Sequence, residues 1–180
     1  MNSEPKCNIL LVDDRPENLL ALEAVLAPLN QNLVTAESGE EALKRLLDQE
    51  FALILLDVQM PGMDGFETAL QIRERPKTKD IPIIFITAIS QEPHHALRGY
   101  SAGAVDYLFK PFDPWALRTK VGVFTELHNK TQKLKAQAQM AARIQEVVVR
   151  LRRSQDGGLN EDETRALASE LEELSKQLPP

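Results

Sequence analysis

Acidic, hydroxyl and basic side chains follow short apolar runs at intervals along the first two thirds of the chain. They are Asp13, Asp14, Asp57, Thr87 and Lys110. If three carboxylates were brought to one place, they would repel one another and would not stay ionised together without a cation. A hard divalent ion such as Mg²⁺, held by a few carboxylates and several waters, would resolve that conflict.

This set of side chains suits phosphoryl transfer. The transition state of that reaction spreads negative charge over the equatorial oxygens, so catalysis depends mostly on positioning and cationic stabilisation. A carboxylate can act as the nucleophile and form an aspartyl phosphate. Lys110 can hold a phosphoryl oxygen as a point charge, and the Thr87 hydroxyl adds a donor. Each acid alone would as readily be a solvated loop residue or a helix cap, so the prediction rests on the set.

Short apolar runs without clean alternation would bring these residues together, because that pattern is typical of parallel strands buried on both faces. The runs are Ile9–Val12, a weaker Leu33–Ala36, Leu53–Leu56, Ile83–Ile86 and Val105–Phe109. Helical patterns alternate with them, which predicts an α/β fold with a doubly wound parallel sheet. Ligands of such sheets lie outside the carboxyl ends of the strands, where the polar residues fall.

The helices between these strands have recognisable start and stop signals. Pro16 opens the first helix and Pro28 follows its end. Ser38 and Asp64 stand where N-caps of the second and third helices are expected. A fourth helix is predicted over residues 93–103.

Several motifs, in order along the chain, resemble the response-regulator receiver family of two-component signalling. They are Val12-Asp13-Asp14, the run from Asp57 to Gly65, Thr87-Ala88 and Lys110-Pro111-Phe112. The match covers about residues 7–120. The resemblance implies a five-stranded, flavodoxin-like sheet with the strand order 2-1-3-4-5.

The resemblance also implies which residues accept the phosphoryl group and hold the metal. Asp57 would be the phosphoacceptor and a ligand of Mg²⁺. Asp14 would bind the ion directly, Asp13 largely through water, and Gln59 through its backbone carbonyl. The phosphodonor would be a sensor histidine kinase or a phosphotransfer protein. The domain would then be a signalling module, not an enzyme beyond its own phosphorylation and dephosphorylation.

Further roles implied by the resemblance concern the response to phosphorylation. Lys110 and Thr87 would contact the phosphoryl group, and Thr87 would act with Tyr107 as the switch. The Lys110–Pro111 peptide would be cis. The apolar Ile89, two positions after Thr87, would favour slow loss of the phosphoryl group because it gives attacking water no polar guide.

Composition restricts the class of protein. The net charge is −6. Cys7 is the single cysteine, so no internal disulfide can form and a reducing cytoplasm is expected. The longest apolar runs, such as Phe51–Leu56, are too short to cross a bilayer, so no membrane partner is expected. Nucleic-acid binding is not expected either, since no helix-turn-helix of adequate length follows the first domain.

The second part of the chain carries a different charge pattern. Residues 113–153 hold 9 basic and 3 acidic side chains, whereas residues 154–180 hold 2 basic and 7 acidic ones. We therefore divide the chain into a phosphoacceptor receiver domain (1–120), a long helical or coiled-coil extension of its last helix (121–153) and a short acidic amphipathic helix (154–180). Trp115 is expected to pack the last receiver helix onto the sheet.

The long helix is predicted to start at the N-cap Asp113 and to run to about Arg153. One heptad register places apolar residues on a seam, with interruptions at Lys120, Lys130 and Gln137. The seam residues are Val123, Leu127, Leu134, Ala141, Ile144, Val148 and Leu151. The seam predicts a homodimer through the helical tail; a solvated connector to a further domain is the alternative.

A break at Gly157-Gly158 precedes the acidic helix, which Asn160 and Glu163 would open as a capping box. Its apolar stripe consists of Leu167, Leu171, Leu174 and Leu178. This helix would fold back on the basic helix as a hairpin, or the same surfaces would bind a partner helix. A different class of function also stays open, in which the chain is the regulatory front of a longer protein with a catalytic output domain.

Overall fold

The computed structural model describes residues 5–88, 105–153 and 160–176. Their strands are β1 (Asn8–Val12), β2 (Asn32–Ala36), β3 (Leu53–Asp57), β4 (Ile83–Thr87) and β5 (Asp106–Phe109). The helices are α1 (Pro16–Leu26), α2 (Gly39–Asp48), α3 (Gly65–Glu74), α4 (Pro114–Arg153) and α5 (Glu161–Lys176), with a 3₁₀ turn at Ala27–Leu29. The helix predicted over 93–103, Ile89, the break at Gly157-Gly158 and Leu178 lie outside the described residues.

The strands form one parallel sheet in the order β2-β1-β3-β4-β5, which confirms the predicted fold class and strand order. The central strand β3 is buried along its whole length, and so is β4. Burial on both faces explains why these runs are continuously apolar instead of alternating.

Two apolar cores, one on each face of the sheet, hold the helices in place. Along β3, Ile54 and Leu56 face the core that contains residues of α2 and α3. Leu53 and Leu55 face the core that contains residues of α1 and α4. Successive side chains of a strand point to opposite faces, so each strand contributes to both cores. The helices packed on both faces hold the parallel strands in place, with their carboxyl ends at a single edge of the sheet.

The helix starts confirm the predicted capping residues. Ser38 accepts a hydrogen bond from the backbone N–H of Glu41 at the start of α2. Asp64 and Glu67 form a reciprocal capping box at the start of α3. Pro16 occupies the first turn of α1, where its missing N–H costs no intrahelical bond. These caps satisfy amide groups that would otherwise lack partners at the carboxyl edge of the sheet.

The first turns of α4 correct one prediction. Leu117 and Val121 are fully buried in the core of their face. Trp115 is 67% exposed, so it does not pack the helix onto the sheet. It precedes Leu117 by two positions, which turns its side chain about 200° around the helix. As predicted, Asp113 stands at the cap of this helix and accepts from the backbone N–H of Trp115.

The chain divides into two compact units, residues 1–129 and 130–180. In the second unit, Arg143 of α4 donates to Glu170 of α5 through Nε at 2.9 Å and Nη2 at 2.6 Å. Among the described residues of this unit, Val147 and Leu167 are the buried apolar ones. The predicted capping box at the start of α5 is present, with Asn160 and Glu163 exchanging backbone-to-side-chain bonds.

The residues of the predicted heptad seam differ in exposure along α4. Val123 is 59% exposed, Leu127 57% and Leu134 65%. Ile144 and Leu151 are half-buried, as is Val148, whereas Ala141 is exposed. Within the described part of the chain, no helix is both long and apolar enough to span a membrane.

Candidate functional site

Four neighbouring strands end at one edge of the sheet and carry the predicted polar residues there. Asp13 follows the last residue of β1, and β1 pairs with β3, which ends in Asp57. Thr87 is the last residue of β4, and Lys110 follows β5. The backbone N–H of Lys110 donates to the carbonyl of Thr87 at 2.8 Å, which joins the ends of β4 and β5.

Three carboxylates converge at this edge. Asp13, Asp14 and Asp57 each offer an oxygen such that all three oxygens lie within 4.8 Å of one another. Asp13 is 1% exposed and Asp57 6% exposed, while Asp14 is half-buried. Like charges at this separation in a poorly solvated place repel strongly, so the cluster requires a compensating cation.

Lys110 supplies part of that compensation. Its Nζ lies 2.8 Å from Oδ2 of Asp13 and 3.5 Å from Oδ1 of Asp57. One ammonium group therefore balances one of the two buried carboxylates and leaves an excess of negative charge. The peptide bond between Lys110 and Pro111 is cis, as predicted.

Burial raises the pKa of the Asp57 carboxyl above its ordinary value. The positive charge of Lys110 opposes this change in pKa, whereas the negative charge of Asp13 adds to it. Asp57 therefore loses its proton less readily than an exposed aspartate does. A further cation beside it would favour its ionised form.

Asp13 is held by residues that the motifs do not include. Nδ2 of Asn18 lies 2.9 Å from Oδ1 and 3.0 Å from Oδ2 of Asp13. The backbone N–H of Arg15 donates to Oδ1 at 3.0 Å. The spacing of Asn18, five residues after Asp13 and in the first turn of α1, was the available signal in the sequence.

Tyr107 and Thr87 occupy adjacent strands near the site. The Thr87 side chain is buried, and Tyr107 is half-buried with its ring centroid 5.2 Å from that of Phe85 on β4. The Tyr107 ring also stacks on Phe109 at a centroid distance of 6.4 Å. Tyr107 thus lies between a core ring and the ring nearest the end of its own strand.

Gln59 is exposed in the loop between β3 and α3, two residues after Asp57. This loop is tightly built. Gly62 has a φ of +76°, a left-handed conformation that favours glycine. A Cβ on Gly65 would lie 2.2 Å from the backbone oxygen of Asp57. The sequence of the loop therefore controls how closely α3 approaches the carboxylate cluster.

The donor set fits a hard divalent cation. Carboxylate oxygens are ligands that Mg²⁺ accepts, and the excess negative charge favours a cation over a neutral ligand. Asp57 is the last residue of β3 and Asp13 follows β1, and both are buried, whereas Asp14 is half-buried and Gln59 is exposed.

Comparison with known proteins agrees with this geometry. A family model described as "Response regulator receiver domain" matches residues 9–122. The chain is 40% identical over 133 residues to a probable cyclic di-GMP phosphodiesterase of Vibrio cholerae, an alignment that covers 74% of this chain and 29% of that protein. It is 40% identical over 114 residues to the transcriptional regulatory protein ResD of Bacillus subtilis, covering 63% of this chain and 46% of ResD. The chain thus spans less than half the length of both relatives.

Solved structures give the same result. The chemotaxis protein CheY4 of Vibrio cholerae is similar with a TM-score of 0.63 and 30% identity, over 67% of this chain and 99% of that one. A putative response regulator from Chloroflexus aurantiacus is similar with a TM-score of 0.64 and 34% identity, over 68% of this chain and 99% of that one.

Proposed function

Because the chain belongs to the response-regulator receiver family, we propose that Asp57 accepts a phosphoryl group from a sensor histidine kinase or a phosphotransfer protein. The observation that supports this most strongly is the convergence of Asp13, Asp14 and Asp57 with the Lys110 ammonium at one edge of the sheet. Mg²⁺ would be held by these carboxylates and by the backbone carbonyl of Gln59.

The chemistry is a displacement at phosphorus. A carboxylate oxygen of Asp57 attacks in line, and the bond between phosphorus and the donor's histidine nitrogen breaks as the new P–O bond forms. The imidazole leaves with the electron pair of that bond and takes up a proton from solvent. When bound, Mg²⁺ supplies positive charge that offsets the charge of the phosphoryl oxygens. Lys110, whose Nζ lies 3.5 Å from Oδ1 of Asp57, would hold one of those oxygens.

Treatment with acetyl phosphate and Mg²⁺ followed by intact-mass spectrometry tests the acceptor. We expect the wild type to gain one phosphoryl group and Asp57→Asn to gain none. Asp64→Asn is a matched control, because Asp64 is an acid of the following loop and asparagine is also a good N-cap. An equal gain in wild type and Asp57→Asn would contradict the assignment.

The response to phosphorylation is proposed to pass through Thr87 and Tyr107 to the helical tail. Thr87 would bond a phosphoryl oxygen, and Tyr107 would move with it. The exposed Val123, Leu127 and Leu134 support a role of α4 in pairing with a second copy, since apolar side chains at heptad spacing gain from mutual burial. The shift would be partial, because a few charge-assisted bonds supply its free energy.

Gel filtration with multi-angle light scattering, with and without beryllofluoride and Mg²⁺, tests this coupling. A phosphorylation-linked change in helix pairing predicts a change in mass or in hydrogen-exchange protection of the tail. Unchanged mass together with unchanged protection would contradict the coupling and leave the acceptor assignment standing.

A second candidate is supported by the relatives, of which the aligned segments cover only 29% and 46%. In this case residues 1–180 are the regulatory front of a longer protein, and α4 is a connector to an output domain. The Vibrio cholerae relative is named as a probable phosphodiesterase. The reading frame beyond Pro180 in the gene distinguishes the two candidates.

A further inference from the structure

From the contacts around Asp13, we propose that Asn18 is a positioning residue that orients this carboxylate for Mg²⁺. The inference rests on the proposed function, since it concerns the metal of the same site. Asn18 belongs to the first turn of α1, and its side-chain amide lies within 3.0 Å of both oxygens of Asp13. No motif that identified the site includes this residue.

The orientation of the Asp13 carboxylate depends on its donors. The terminal torsion of an aspartate has a broad, two-fold energy profile, so the oxygens have no strong intrinsic orientation. Nδ2 of Asn18 donates to both oxygens of Asp13, and the backbone N–H of Arg15 donates to Oδ1 at 3.0 Å. Both donors are fixed by the start of α1. Together they hold the plane of the carboxylate without help from Lys110.

The side chain of Asn18 carries no charge, and this affects metal binding as much as its position does. Lys110 also binds Oδ2 of Asp13, at 2.8 Å, and it would be drawn towards a phosphoryl group on Asp57, because the same Nζ lies 3.5 Å from Oδ1 of Asp57. The bonds from Asn18 go to Asp13 alone, so they would keep that carboxylate oriented whichever contact Lys110 makes. Since asparagine carries no charge, it orients Asp13 while leaving its negative charge available to attract a divalent cation.

The number of hydrogen bonds to Asp13 is consistent with the water-mediated contact with Mg²⁺ that the resemblance implies for this residue. An ionised carboxylate offers about four lone-pair positions. Asn18, Arg15 and Lys110 make four hydrogen bonds to Asp13, two on each oxygen, and so occupy all of these positions. If Lys110 turned towards a phosphoryl group, a position on Oδ2 would open and could accept a hydrogen bond from a water of the hydrated ion. The half-buried Asp14 keeps the more open position for direct binding.

Isothermal titration calorimetry with Mg²⁺ alone, in the absence of any phosphodonor, tests the proposal. We expect Asn18→Ala and Asn18→Leu to raise the dissociation constant about tenfold, the low end of the effect typical of residues that orient metal ligands. Asn18→Leu keeps approximately the size of the side chain and removes the donor. Asn32→Ala, the same truncation at the opposite end of the sheet, should bind Mg²⁺ like the wild type.

A second readout separates positioning from damage to the fold. The rate of phosphorylation by acetyl phosphate in Asn18→Ala should fall at low Mg²⁺ and return close to the wild-type rate at saturating Mg²⁺. Wild-type affinity for Mg²⁺ in both Asn18 variants would overturn the proposal and leave the proposed function intact. A wild type that binds no Mg²⁺ would overturn both.

Discussion

As the proposed phosphoacceptor, Asp57 has to meet two opposing demands, because it is almost completely buried and yet would have to be ionised to attack phosphorus. Burial raises its pKa, and the nearby charge of Asp13 raises it further. The folded chain therefore binds the Asp57 proton up to a higher pH than the unfolded chain does. Between the two pKa values the folded state holds more protons, so the free energy of unfolding falls as pH rises through that window. Once Asp57 is ionised, its charge lowers the stability of the metal-free protein.

This sign leads to a prediction for Asp57→Asn. In metal-free buffer at neutral pH, we expect the variant to melt at a higher temperature than the wild type, because asparagine places no charge in the buried cluster. The difference should shrink at acidic pH, where the wild type also carries a neutral side chain. It should shrink at saturating Mg²⁺ as well, because metal binding stabilises the wild type. Differential scanning calorimetry measures the difference in melting temperature under each of these conditions, with Asp64→Asn as the control.

A lower melting temperature for Asp57→Asn than for the wild type in metal-free buffer would contradict this electrostatic account. It would mean that Lys110 offsets the burial and repulsion that raise the pKa of Asp57.

Lys110 should affect metal binding and phosphorylation in opposite directions. Its ammonium contacts both buried carboxylates, so it competes with a divalent cation for the same negative charge. Lys110→Met is expected to bind Mg²⁺ more tightly, by about three- to tenfold, because a competing cation is lost. It should nevertheless be phosphorylated about 10²-fold more slowly at saturating Mg²⁺, since one charged contact to the transition state is missing.

Calorimetry with Mg²⁺ and the rate of phosphorylation by acetyl phosphate measure the two effects separately. Lys44→Met, which removes an exposed lysine of α2, should change neither quantity. If Lys110→Met loses metal affinity and rate together, the lysine supports the fold of the site and does not compete with the ion.

The sequence predicted the charged residues of the cluster because each follows an apolar run that must be a buried strand. It did not predict Asn18, because polar residues in a first helical turn have many ordinary explanations. Nor did it reveal that Asp13 is almost fully buried while its neighbour Asp14 is half-buried. That difference depends on the donors of α1 and on Lys110, which are brought to Asp13 only by the tertiary fold.

At the scale of the elements, the approach of α3 to the end of β3 depends on Gly65. A Cβ at this position would lie 2.2 Å from the backbone oxygen of Asp57 and 2.8 Å from Cα of Val58. Both obstacles are backbone atoms, so α3 would have to move. We expect Gly65→Ala to destabilise the protein by about 2 kcal/mol or more, within the range for overpacking, and to slow phosphorylation.

Gly122 offers the same substitution in an open place, since a Cβ there would meet nothing within 4 Å. It lies inside α4, where alanine is favoured over glycine by about 1 kcal/mol. Gly122→Ala should therefore stabilise the protein, while Gly65→Ala destabilises it. Urea unfolding of both variants measures the two changes. Equal effects of the same sign would contradict the close approach of α3 to Asp57.

The sequence predicted the strands well and the packing of α4 less well. Strands such as β3 are recognised because they are buried on both faces, so their apolar character is continuous. In a long helix more than one face carries apolar residues, and an aromatic residue is readily assigned to the core from sequence alone. Leu117 and Val121 set the buried face of α4, and this face excludes Trp115. Only contacts with the sheet determine which register is used.

At the scale of the whole molecule, the exposed apolar residues of α4 decide between a dimer and a connector. Leu134 is 65% exposed, and by heptad spacing it shares the seam with Val123 and Leu127. In a parallel dimer the two copies of position 134 would meet. Leu134→Asp would then bring two carboxylates together in a desolvated place, which costs several kcal/mol.

We therefore expect Leu134→Asp to be monomeric at concentrations where the wild type is dimeric. Leu20→Asp is the matched control, because Leu20 of α1 is also 65% exposed and lies outside the seam. Light scattering over a dilution series measures the mass of all three proteins. A monomeric wild type would favour the connector. If the wild type is dimeric and Leu134→Asp is dimeric as well, the interface lies elsewhere. A dimer through α4 requires that Leu134→Asp is monomeric while Leu20→Asp remains dimeric.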